Sequence, residues 1–90
     1  MDKIKQINNV LNEFFSNPSN PSFVRAKDLM ELFIAHGIFS ADYRGGLPIR
    51  KLLRKLDRED NLHLIPFVRA ERKNKNTNWY FEAIIHNTTF

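Results

Sequence analysis

The chain has no cysteine, which excludes disulfides, thiolate metal sites and thiol nucleophiles. It has no long apolar run near its start either, because Asp2, Lys3, Lys5, Gln6, Asn8 and Asn9 interrupt the segment from Met1 to Val10, so no signal peptide or membrane span is expected there. Both absences fit a soluble, cytoplasmic protein. His36, His63 and His86 fall on different predicted elements and show no ligand spacing such as H-E-x-x-H, so neither a metal nor any other cofactor is expected. A glycine-rich phosphate loop and a serine elbow are also missing. Asp57, Glu59 and Asp60 crowd one helix end, but solvent and neighbouring arginines favour neither a pocket nor a raised pKa, so ordinary ion pairing accounts for them. The chain reads as no enzyme. Asn87, Thr88 and Thr89 match a glycosylation sequon that recurs by chance and is idle without secretion.

What is present suffices for one core. Ninety residues with 42% hydrophobic content, eight phenylalanines among them, are enough for a single domain over residues 1–90 and too few for two. Ile4, Ile7, Val10, Leu11, Phe14 and Phe15 recur at steps of three and four, which predicts an amphipathic helix from Asp2 to Phe15. Pro18 and Pro21 stop it. Phe23 to Arg25 is available as a short strand, followed by a helix from Ala26 to His36 with Leu29, Met30, Leu32 and Phe33 inward. Gly37 closes that helix in the left-handed conformation, letting Ile38 and Phe39 pack back on it. Pro48 begins a third helix, carried to Asp60 by Ile49, Leu52, Leu53 and Leu56. Leu62 to Arg72 reads as extended, with an edge or bulge at Pro66; a turn from Asn74 to Asn78 leads into a second strand from Trp79 to His86.

The net charge of +4 is unevenly placed. Residues 1–43 hold four basic and five acidic side chains, whereas residues 44–90 hold ten basic and five acidic. Projected at ~100° per residue, the third helix turns Ile49, Leu52, Leu53 and Leu56 to one side and gathers Arg50, Lys51, Arg54, Lys55 and Arg58 on the other. An exposed helix face is commonly charged merely for solvation, and such faces interleave acids with bases. Here Arg50 with Arg54, Arg54 with Arg58 and Lys51 with Lys55 are like-charged at i, i+4, each pair costing a few tenths of a kcal/mol. Phosphates would relieve that repulsion.

This order of helix, short strand, helix, basic helix and hairpin resembles the winged helix-turn-helix family along nearly the whole chain: an α+β fold of three helices followed by a two-stranded antiparallel hairpin wing, with residues 23–25 as a third strand. The resemblance implies that residues 48–60 form a recognition helix in the major groove of double-stranded DNA and that the wing, residues 69–78, lies against the adjacent backbone or minor groove. On that basis Arg50, Lys51 and Arg54 are candidates for base edges. Lys55 and Arg58, with Arg44 from the preceding loop and Arg69, Arg72, Lys73 and Lys75 from the wing, are candidates for phosphates. Gly45 and Gly46 either let backbone approach a phosphate or serve as a joint. The segment from Ile38 to Leu47 exceeds the ~3–4-residue turn of a compact helix-turn-helix and has room for an extra helical turn. Within Trp79, Tyr80 and Phe81, alternation sends Trp79 and Phe81 to the core and leaves Tyr80 exposed, so base stacking is not the preferred reading.

The expected function is that of a small regulator acting by occupancy of DNA, as a homodimer because one helix rarely buries enough surface for tight specific binding; the first helix, or the last strand through Phe90, is available for pairing. Two alternatives carry the same charges: a protein-interaction module docking an acidic partner, and a binder of structured RNA.

Overall fold

The computed structural model describes residues 2–84. Their fold is α+β, with helices α1 (Lys3–Ser16), α2 (Met30–Ala35) and α3 (Leu47–Arg58) and strands β1 (Phe23–Arg25), β2 (Val68–Arg72) and β3 (Thr77–Glu82). The strands form one antiparallel sheet in the order β1-β3-β2. Three helices with a hairpin and a third strand make a winged-helix-like arrangement. No helix among the described residues is long and apolar enough to cross a membrane.

Each helix forms where its apolar spacing and ends demand it. The Asp2 carboxylate accepts from the Ile4 amide at 3.0 Å and so caps α1. Ile7, Val10 and Leu11 are buried, while Ile4, Phe14 and Phe15 pack at the margin of the core. After α2, Gly37 takes φ 75°. Its amide donates to the Ile34 carbonyl and that of Ile38 to Phe33, both at 2.9 Å, the reciprocal closure that a left-handed residue permits. Ile38 is buried as a result.

The second helix is shorter than the expected span of Ala26 to His36. Ala26–Leu29 forms a 3₁₀ turn and regular α-helix starts only at Met30. Side chains three apart eclipse in a 3₁₀ turn, and this sends Ala26 and Leu29 into the core as soon as the chain leaves the sheet. The extended segment expected from Leu62 is likewise reduced. Leu62–Leu64 is a 3₁₀ turn, Ile65 and Phe67 are buried, and β2 begins at Val68. Pro66 has no amide to give to a ladder, so pairing starts beyond it. The hairpin loop spans residues 73–76, with the Lys73 amide donating to the Asn76 carbonyl at 2.7 Å. The last strand therefore starts at Thr77, earlier than expected; its continuation to His86, and the pairing suggested through Phe90, lie outside the described residues.

The core is a single cluster between the helices and one face of the sheet. Phe33 meets Phe81 edge-on at 6.0 Å, and Phe15 stacks on Phe67 at 5.5 Å. Trp79 and Phe81 point inward as their alternation requires.

The end of α3 repeats the closure of α2 with a less suitable residue. Asp60 stands at φ 59°, its amide donating to Asp57 and the Asn61 amide to Leu56. A β-carbon is strained there, and a carboxylate is unfavourable beside a helix C-terminus. Asp60→Gly is expected to stabilise the fold by about 0.5–1 kcal/mol. Thermal unfolding followed by circular dichroism should show a midpoint a few degrees higher, and an unchanged or lower midpoint would contradict the backbone argument.

Candidate nucleic-acid interface

The position of α3 is set by an apolar seam and one glycine. Ile49 and Leu53 are completely buried, Leu56 nearly so, and Leu52 packs at the margin. Gly46 precedes the helix at φ 85°, where a β-carbon would stand 2.8 Å from the Lys27 Cα. The helix thus begins in backbone contact with the 3₁₀ turn after β1, an approach that only glycine allows.

The preceding segment, residues 36–46, contains no additional right-handed helix. Arg44, Gly45 and Gly46 instead take φ values of 54°, 59° and 85°, making one left-handed turn. The Leu47 amide donates to the Tyr43 carbonyl at 3.1 Å, and the Asp42 carboxylate accepts from the Gly46 amide at 2.9 Å. Two glycines make that turn cheap. The Arg44 carbonyl, turned outward by it, accepts from the Arg50 guanidinium at 2.6 Å and so ties loop to helix.

Between α3, this turn and the hairpin lies an open groove of about 800 Å³. Arg50 and Arg54 reach it from α3, Arg44 from the loop, Lys73 and Lys75 from the hairpin, and Arg25 and Lys27 from β1 and the 3₁₀ turn. Asn74, Asn76, Asn78 and Tyr80 also line it. Among the described residues, seven cationic side chains and no carboxylate line it. Charges of one sign converging on a concavity raise the local potential above what the modest net charge suggests.

The ten expected contact residues divide into three groups. Arg44, Arg50, Arg54, Lys73 and Lys75 line the groove. Lys51, Lys55 and Arg58 are exposed on α3 outside it. Arg69 and Arg72 are engaged elsewhere: Arg69 donates to Glu82 at 3.0 Å and to the Pro66 and Val68 carbonyls, while Arg72 grips Asp57 with two bonds of 2.9 Å. Arg72 therefore braces the hairpin against the C-terminal half of α3. Among the described residues none of the five α3 cations forms an ion pair.

Arg25 and Lys27 were not legible as groove residues, because the charge count places them in a front half with no basic excess. A fixed strand register would have exposed Arg25, which sits opposite Tyr80 on the central strand. Tyr80 is less open than alternation implies. Phe23 stacks on it at 4.7 Å and 23° between ring planes. Among the described residues no group of three His, Asp or Glu side chains gathers in metal-binding geometry.

Among the described residues, two carboxyls are perturbed. The paired hydrogen bonds from Arg72, helped by its charge, hold Asp57 below the usual aspartate range. Hydrogen bonding from Asn78, together with the Lys73 charge, lowers Glu71.

Two predictions follow from these supports. Gly46→Ala should lower the unfolding midpoint by several degrees, since both the positive φ and the contact with Lys27 oppose a side chain; a midpoint equal to the parent's would remove Gly46 as a constraint. For Asp57, a lowered folded-state pKa means that its stabilisation is complete above the ordinary aspartate pKa and is lost as pH falls through the lowered one. The stability gap between the parent and Asp57→Asn should accordingly be largest near neutrality and close in strong acid, as read from melts across pH. A gap independent of pH would exclude the charge pair as its source.

Comparison with protein-family models, with curated proteins and with solved structures finds no match, so the functional reading rests on this chain's own geometry.

Proposed function

We propose that the chain is a non-catalytic, double-stranded DNA-binding module, a small regulator that acts by occupying its site. One observation carries this reading: four separate parts of the fold, α3, the loop before it, the hairpin and β1 with its 3₁₀ turn, deliver seven cations and, among the described residues, no carboxylate to one groove. Charges placed for solvation alone have no reason to converge. A phosphodiester backbone supplies the missing counter-charge in a line, and each phosphate neutralised releases condensed counterions.

Within this reading α3 presents Arg50 and Arg54 to the nucleic acid while Lys73 and Lys75 hold the backbone from the hairpin side. Lys51, Lys55 and Arg58, exposed on the same helix, extend the positive strip beyond the groove. In this reading Arg69 and Arg72 act as supports, because each guanidinium already pairs with a carboxylate of the same molecule. Asn74 and Asn76 at the hairpin tip offer both donors and acceptors, as sugar and base edges require. A homodimer would bring two such grooves onto successive turns of one duplex.

Titration of random-sequence duplex DNA over a range of salt concentrations tests the proposal. Affinity should fall steeply with salt, and in the variant carrying both Arg50→Ala and Arg54→Ala the slope of log affinity against log salt should be shallower by about two. A weak response at low salt that does not depend on salt would overturn it in favour of an acidic protein partner. Equal loss of affinity for duplex RNA would direct the reading to RNA.

A further inference from the structure

The outer face of the sheet carries a feature that duplex binding does not use. Residues opposite one another in an antiparallel ladder share a face, so the register places Phe23 and Arg25 of β1 with Tyr80 and Glu82 of β3 and with Arg69 of β2, away from the core. On this otherwise polar surface Phe23 is 49% exposed. It is held in place: one side of its ring covers Tyr80 at 4.7 Å, and the Tyr80 hydroxyl donates to the Glu71 carboxylate at 3.3 Å. The two rings thus form a fixed stack with one member open to water, whereas a single loose aromatic would be free to turn away.

The stack adjoins the cationic groove. Tyr80 is part of the groove wall, and Arg25, its opposite number on β1, is another. Arg25 makes a single 3.2 Å bond to Asp28, with both side chains about half exposed, an ion pair that a phosphate can replace. Arg25, Tyr80 and the ring of Phe23 thus lie together on the face that borders the groove. Cation beside a rigid, solvent-facing aromatic is the arrangement that seats an unpaired base with its phosphate. A base pair inside a duplex cannot use it, because both its faces are covered by its neighbours.

We infer that Phe23, backed by Tyr80 and flanked by Arg25, is a stacking seat for one unpaired nucleobase of a DNA whose backbone lies in the groove. The preferred ligand is then a duplex with a single-stranded extension rather than a blunt duplex. This rests on the groove's reading as a DNA site and adds to it a choice among DNA forms.

The test compares a blunt DNA duplex with the same duplex bearing a short oligo-dT extension, on the 5′ or the 3′ strand, at one low salt concentration. The intact chain should bind one of the extended duplexes about tenfold more tightly than the blunt one. Phe23→Leu, which keeps an apolar cover over Tyr80 but lacks a flat ring, should bind all of them with the blunt-duplex affinity. Phe23→Trp should keep the preference, and the fluorescence of its introduced indole should be quenched by the extended duplex and not by the blunt one. Equal affinity of the intact chain for blunt and extended duplexes, or a preference that survives Phe23→Leu, would overturn the seat while leaving the groove's DNA reading intact. Failure of every duplex to bind would overturn both.

Discussion

The cationic groove depends first on the burial of one side of α3. Ile49, Leu53 and Leu56 are withdrawn from water, and each such side chain is worth roughly 1.5–3 kcal/mol. The like-charged pairs on the other side of the helix cost only a few tenths of a kcal/mol each. Burial therefore prevails, and the helix can hold Arg50, Lys51, Arg54, Lys55 and Arg58 together without any ion pair among the described residues. A helix anchored less firmly would relieve the repulsion by rotating or fraying. The charge arrangement is sustained by apolar contacts on the opposite side of the helix.

Anchoring alone does not make a groove, which also needs a fixed opposite wall. Gly46 sets one end of α3 against Lys27, and the Arg72–Asp57 pair joins the other half to β2. Exposed pairs like the latter contribute at most about 1 kcal/mol to stability. Its effect is geometric: Arg72 is the last residue of β2, so its grip on Asp57 fixes the base of the loop that carries Lys73 and Lys75. One arginine spent on positioning makes two lysines converge with Arg50 and Arg54.

Legibility in the sequence followed the range of the interaction. Periodic burial is local, so α1 and α3 were legible from Ile4 to Phe15 and from Ile49 to Leu56, as were the left-handed stop at Gly37 and the inward turn of Trp79 and Phe81. The 3₁₀ turns at Ala26–Leu29 and Leu62–Leu64 leave no local mark, because they answer to what the core requires of Ala26, Leu29 and Ile65 once the sheet is in place. The left-handed turn at Arg44 depends on Asp42 and on the distant Lys27, neither of which marks it in the sequence. The site was legible by half for the same reason. Helix and hairpin cations announce themselves as clusters, whereas Arg25 and Lys27 enter through strand pairing, and the same pairing withdraws Arg69 toward Glu82.

That pairing runs through β3, the strand that has a neighbour on both sides. Its alternate residues have opposite duties: Trp79 and Phe81 close the core, while Asn78 and Tyr80 face the groove and the outer surface. Because a strand has a period of two, a slip of one residue would expose Trp79 and Phe81 and bury Tyr80 and Glu82, a loss of several kcal/mol from the aromatic pair alone. The register that places Arg25 beside Tyr80 is thus enforced by the core and not by the surface residues themselves. Substitutions at Phe23, Arg25 or the hairpin tip can change the character of that surface without releasing the strand, since the free energy that holds it in register resides on the other face.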